Sequence, residues 1–216
     1  MVVGIALVGS GRMGKVRAPL IHANPRAKLL WVVDLMAAPG GALAAEYGAS
    51  FSTELAKALA DPAVDLVWIT TPTFAHMEVI AASAAAGRCV FTEKPVAEEP
   101  FAIRSAFEAC ERGGVDLFCG FQRRFDRGYM KVRNLVAAGT VGKVNFIRVC
   151  FADSPVPPLE FLLKGGDPFM DLAPHVSFIF QFTRMTELST NLCVIKLLLL
   201  LCRTLISFAG SLRRNR

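Results

Sequence analysis

The chain has 216 residues, 53% apolar and 19% charged, with a formal net charge of +6. That balance excludes a disordered chain, and ordinary counts of 17 Gly and 12 Pro exclude collagen-like and low-complexity classes. Residues 183–216 hold six basic side chains and one acid, so the first 182 carry only +1; with no nucleic-acid recognition motif, the basic total does not point to a nucleic-acid-binding body.

The opening Met1–Val8 is apolar and lacks the basic region of a signal peptide. The expectation is a buried strand and a cytosolic protein. Strands are predicted at Val2–Val8, Lys28–Val33, Val64–Thr70, Cys89–Thr92 and Val115–Cys119, each apolar on both parities, as strands covered on two faces must be. Between them, Arg12–Ala23, Gly40–Tyr47, Glu54–Ala60, Phe74–Ala86 and Pro100–Arg112 read as helices. Pro19 lies inside the first and is expected to kink or shorten it. Alternating strands and helices predict an α/β fold with a doubly wound parallel sheet of Rossmann type over residues 1–120. A helix over Asp126–Ala138, stopped by Gly139, then opens a second, partial domain over residues 121–182. Its further predicted parts are a strand at Gly142–Phe151, a loop with Pro155, Pro157 and Pro158, and a helix from Asp171 to Phe182. Residues 183–216 form a divergent tail. Its window Leu192–Gly210 has eleven Leu, Ile, Val and Phe, but Lys196 and Arg203 roughly cancel the gain from insertion, so the tail reads as an unrelated segment, with membrane association through it as the alternative.

Gly9-Ser10-Gly11-Arg12-Met13-Gly14 follows a predicted strand and opens a predicted helix, with Asp34 ending the second strand 20 residues beyond Gly14. Those three contexts together point to a dinucleotide site, the alternative being a plain glycine turn with a helix-capping Asp. Gly9 makes the tight turn, Gly11 admits the pyrophosphate, and Gly14 lets helix and strand pack closely. The backbone around Arg12 and Met13 supplies the donors of a helix N-terminus. Asp34 is suited to both adenosine ribose hydroxyls and repels a 2′-phosphate, and Leu35 and Met36 offer no basic group. The expected cofactor is therefore NAD rather than NADP.

Thr71, Pro72, Thr73 and His76 follow the third long strand and are placed to line the same groove. His76 reads equally well as a helix-start residue satisfied locally. Glu93-Lys94-Pro95 ends the next strand, and Glu93 and Lys94 are expected among the cofactor-binding residues. Lys94 there either points into the crevice, where an ammonium stabilises alkoxide character, or is an ordinary surface lysine. Asp171 and His175 stand four apart, on one helical face. They suit an oriented general base, or a capping Asp beside a half-buried His. The six cysteines show no C-x-x-C spacing and read as small core hydrophobes, compatible with a reducing compartment, and no metal site is expected.

Taken together, the glycine motif, Asp34, Thr71-Pro72-Thr73 with His76, Glu93-Lys94-Pro95, and Asp171 with His175 resemble the Gfo/Idh/MocA oxidoreductase family over about residues 2–178. Arg123-Arg124-Phe125-Asp126, Asp153 with the prolines after it, and Gly165-Gly166 look most like its inositol 2-dehydrogenase branch. The resemblance implies a second domain built on an open, mostly antiparallel sheet, and a homo-oligomer. It implies oxidation of a secondary hydroxyl of a cyclic polyol or sugar such as myo-inositol, with NAD accepting the hydride. His175 would be the base, Asp171 its orienting partner, and Lys94 would hold the hydroxyl. Gln122 is implied near the nicotinamide, and Arg124 and Asp153 near the substrate. Pro95 is implied to follow a cis bond. The sheet domain of the family would continue beyond residue 182, and the chain departs from the branch at His175-Val176-Ser177-Phe178 and Phe151-Ala152-Asp153-Ser154. The alternative reading is a truncated, inactive cofactor-binding fragment or regulatory partner of a full-length relative.

Overall fold

Strand β1 (Val3–Val8) buries every residue from Gly4 onward. Its Ile5 and Leu7 point into one core and its Ala6 and Val8 into another. Such alternation requires cover on both faces. Helices α1 (Arg12–Ala23) and α2 (Ala37–Glu46) supply it on the first, through Ala18, Ile21, Leu43 and Ala44. On the second, α3 (Leu55–Ala60), α4 (His76–Ala85) and α5 (Pro100–Arg112) bring Ala58, Val79, Ile80, Ala84, Ala106 and Cys110. The computed structural model describes residues 1–144 of the chain, in two compact units, Met1–Phe121 and the beginning of Gln122–Arg216.

The remaining strands are β2 (Ala27–Val33), β3 (Ser50–Ser52), β4 (Leu66–Ile69), β5 (Cys89–Glu93) and β6 (Leu117–Gly120). All pairs are parallel, in the order β3-β2-β1-β4-β5-β6. The chain winds outward from β1 through β2 to β3, then returns to the other side of β1 with β4. This reversal opens a crevice beyond the carboxyl ends of β1 and β4, where doubly wound sheets bind their ligands. The start of β1 is pinned as well: the Gly4 N–H donates to Asp65 Oδ2 at 2.7 Å, and a Cβ at Gly4 would stand 1.9 Å from the Ala63 carbonyl oxygen.

The expected doubly wound parallel sheet is present, and α1 and α5 have the predicted bounds. Four local expectations are corrected. Strand β3 was not predicted; Ser-Phe-Ser is too short and polar to announce a strand, and it exists because Ser50, Phe51 and Ser52 pair with Trp31, Val32 and Val33. Helix α2 begins at Ala37, ahead of the predicted Gly40, with Pro39 in the first turn, where its missing N–H costs nothing. The predicted helix over Phe74–Ala86 divides into a 3-10 turn (Thr73–Ala75) and α4. Pro19 does not shorten α1; it stands exposed within the helix.

In the second unit, a 3-10 turn (Gln122–Phe125) precedes α6 (Arg127–Ala137). Asp126 caps that helix, accepting from the Gly128 and Tyr129 N–H groups at 2.9 and 3.2 Å. Gly139, at φ 72°, follows its end. The strand over 142–151, the proline-rich loop, the helix over 171–182 and the tail lie outside the described residues. No helix among the described residues is long and apolar enough to cross a membrane.

Candidate active site

The glycine loop is built by close packing. Gly9 follows β1 at φ 103°, and its N–H donates to the Val33 carbonyl at 2.8 Å. A Cβ there would stand 2.9 Å from the backbone of Thr70 and Thr71. At Gly14 a Cβ would lie 2.1 Å from the Gly9 carbonyl oxygen, so α1 seats directly on the loop. Gly11 is different: among the described residues nothing lies within 4 Å of the position its Cβ would take. Among the described residues, no side chain caps the first amides of α1, and no acid stands in its first turn. The Thr70 hydroxyl clips β4 to the loop, lying 3.0 and 2.7 Å from the Val8 and Gly9 carbonyls. Next to it the Thr71 hydroxyl oxygen is buried with no hydrogen-bond partner among the described residues.

Asp34, just past β2, reaches this loop. One of its oxygens accepts from the Ser10 N–H at 2.6 Å and the Ser10 hydroxyl at 2.7 Å; the other accepts from the Met36 N–H at 2.8 Å. Burial alone would raise its pKa, but the bonds from Met36 and Ser10 outweigh it and hold the carboxyl below its ordinary value. Asp34 is thus an oriented anion with acceptor capacity left over. Leu35, Met36 and Phe74 stand around this edge as exposed apolar side chains, at 90%, 68% and 80%.

The open cradle at Gly11, the orphaned Thr71 hydroxyl and the oriented Asp34 fit a dinucleotide: pyrophosphate at the loop, a ribose diol at the carboxylate.

One strand beyond β4, the Glu93-Lys94-Pro95 corner leaves β5, with a cis bond between Lys94 and Pro95. Lys94 is half-buried. Glu93 is only 6% exposed and accepts both arms of Arg17, from Nε at 2.6 Å and Nη2 at 3.1 Å. His76 is 1% exposed, and each ring nitrogen faces a carbonyl oxygen: Nδ1 the Pro95 oxygen at 3.0 Å, Nε2 the Thr71 oxygen at 3.0 Å. Two expectations change accordingly. His76 does not line the groove; it is a buried strut between the loop after β4 and the corner after β5. Glu93 turns toward α1 rather than outward, because Arg17 neutralises it there.

Gln122 and Arg124 stand on the exposed 3-10 turn of the second unit. Asp153, Asp171 and His175 lie outside the described residues. Among the described residues no group of three or more His, Cys, Asp or Glu is arranged to hold a metal. Cys110 is buried, and that burial pushes its thiol pKa up, as for a core residue.

Sequence reasoning missed Ser10, Arg17 and Thr70. Arg17 carried a usable signal: it falls with Gly14, Ala18 and Ile21 on the buried face of α1, where a guanidinium needs a partner. Nothing local marked Glu93 as that partner.

Fold and site together define a Rossmann-type dinucleotide-binding domain. Residues 3–121 match the model of the GFO_IDH_MocA oxidoreductase family, NAD-binding Rossmann fold. The chain belongs to that family, and NAD is the cofactor of its domain. It is 34% identical over 176 residues to an inositol 2-dehydrogenase of Rhizobium meliloti, covering 81% of this chain and 53% of that one. Among solved structures it resembles GenD2 from gentamicin A biosynthesis in complex with NAD, with 33% identity and a TM-score of 0.78 over 85% of this chain and 54% of that one. It also resembles a scyllo-inositol dehydrogenase from Lactobacillus casei with bound NAD(H) and scyllo-inositol, at 26% identity and TM-score 0.73, covering 85% and 56%. The chain spans about half the length of the relatives it matches.

Proposed function

We propose that the chain acts in NAD-dependent oxidation of a secondary hydroxyl on a cyclic polyol or sugar of inositol type. The observation that carries this reading is the placement of Lys94 at the carboxyl end of β5, beside β4, on the same sheet edge as the glycine loop and Asp34. The dehydrogenases it resembles, one with NAD(H) and scyllo-inositol bound, supply the substrate class.

NAD, when bound, accepts the hydride. The backbone of Gly9, Gly11, Arg12, Met13 and Gly14 would hold the pyrophosphate, and Asp34 the adenosine ribose. Leu35, Met36 and Phe74 offer apolar walls of the kind a purine ring uses, and Thr71, Pro72 and Thr73 would border the cofactor. The Lys94 ammonium would hold the reacting hydroxyl oxygen and stabilise its negative charge as the hydride leaves. Asp171 would orient His175, which takes the hydroxyl proton. Gln122, Arg124 and Asp153 would border nicotinamide and substrate.

The test is the appearance of NADH with myo-inositol, scyllo-inositol and a panel of cyclic sugars, together with NAD and NADP affinities. The expected result is turnover of at least one cyclic polyol, lost in Lys94→Ala, with NAD bound more tightly than NADP. NAD binding without turnover of any substrate overturns the reading of the reaction. Tighter binding of NADP overturns the role of Asp34.

A further inference from the structure

The Lys94 corner is gripped from two sides. After it, His76 faces the carbonyls of Pro95 and Val96 at 3.0 and 3.3 Å. Before it, Arg17 holds Glu93 by a two-point bond, with the two side chains 15% and 9% exposed. These grips differ in origin. His76 ties the corner to the loop after β4. Arg17 ties it to α1, the helix that opens at the Gly11 cradle.

We propose that Arg17 is a positioning residue that couples dinucleotide binding at the head of α1 to the placement of Lys94. The proposal rests on the dehydrogenase reading above and deepens it. An anion at the glycine loop engages the amides that open α1. Arg17 lies six residues past Gly11, about 9 Å along the same rigid helix. Its fork makes two parallel bonds to Glu93, so it resists both sliding and rotation of that carboxylate. Lys94 is the next residue. With the far side of the corner set by His76, fixing α1 fixes Glu93, and fixing Glu93 narrows the positions open to Lys94. A buried ion pair is a poor source of stability compared with apolar packing. Its value here lies in geometry: it joins the cofactor's anchor to the catalytic lysine across 76 residues of sequence.

Hydrogen exchange of the full chain, with and without saturating NAD, tests the coupling. In the parent protein NAD should slow exchange both in the glycine-loop peptide, residues 9–16, and in the corner peptide, residues 91–97. Arg17→Lys keeps the charge but loses the fork. The double variant Arg17→Met with Glu93→Gln removes both charges, so no bare carboxylate is left buried to unfold the protein. In both variants the loop should keep its NAD response while the corner loses it, a change of about fivefold or more in the NAD-dependent rate ratio. A purely structural pair would move the exchange rates with and without NAD equally and leave that ratio intact. A corner that still responds to NAD in the folded variants, or that never responds while the loop does, overturns the coupling alone. A loop that is itself silent to NAD overturns the cofactor site, and the coupling with it.

Discussion

Two glycines three residues apart have opposite physical reasons, and that makes them separable. Gly14 is required by packing: the methyl of Gly14→Ala would sit 2.1 Å from the Gly9 carbonyl oxygen, so the backbone must move. The expected cost is about 1–3 kcal/mol of stability in chemical denaturation. A Cβ on Gly11 meets no neighbour within 4 Å among the described residues, and its φ is negative, which alanine adopts. Gly11→Ala should leave stability within about 0.5 kcal/mol. It should still weaken NAD binding about tenfold or more, since its methyl occupies the approach of the pyrophosphate. Titration calorimetry beside denaturation curves separates the two. Asp34 makes a different prediction. Its folded pKa lies below the ordinary 3.8, so its stabilising contribution is complete above that pH and is lost as pH falls through the folded value. Asp34→Asn should flatten the fall of stability as pH drops below about 4, measured by denaturant titration at each pH.

At the scale of elements, α6 depends on its cap. Asp126 satisfies two of the amides that open the helix, so Asp126→Ala should cost about 0.5–2 kcal/mol locally, read as faster exchange of the Gly128–Met130 amides. Elements of this kind were legible in the sequence wherever local chemistry decides them. Pro100 at the first turn and Gly113 after Arg112 bracket α5, and the apolar parity of residues 3–8 declares a strand covered on both faces. Strand β3 was not legible, because Ser50–Ser52 has no pattern of its own and borrows its conformation from β2. The site divides along the same line. The glycine motif and Asp34 are local signals plus one spacing. Lys94 was legible as the end of a strand. The grips of Arg17 and His76 on its corner join residues 76 and 19 apart, and no periodicity encodes such contacts.

For the molecule as a whole, both tryptophans, Trp31 and Trp68, lie in the first unit, so tryptophan fluorescence, excited selectively over tyrosine, reports that unit. Ligand that binds only the folded state stabilises it by mass action. NAD at about 100 times its Kd should therefore raise the stability of the fluorescence transition by about 2.7 kcal/mol. An unmoved transition at saturating NAD would contradict binding at this unit. The same unit raises a question of alignment. A strand whose two faces are equally apolar loses little burial if it slides by one residue, so hydrophobicity alone indexes β1 weakly. Its ends do the indexing. Gly4 fits beneath the Ala63 carbonyl where no side chain fits, and Gly9 takes a backbone turn that Val8 would resist. A slip in either direction would bring Val3, Ile5 or Val8 into one of those two slots. The two glycines thus act like the notches of a vernier, reading the position of the cofactor loop against β4 to a single residue.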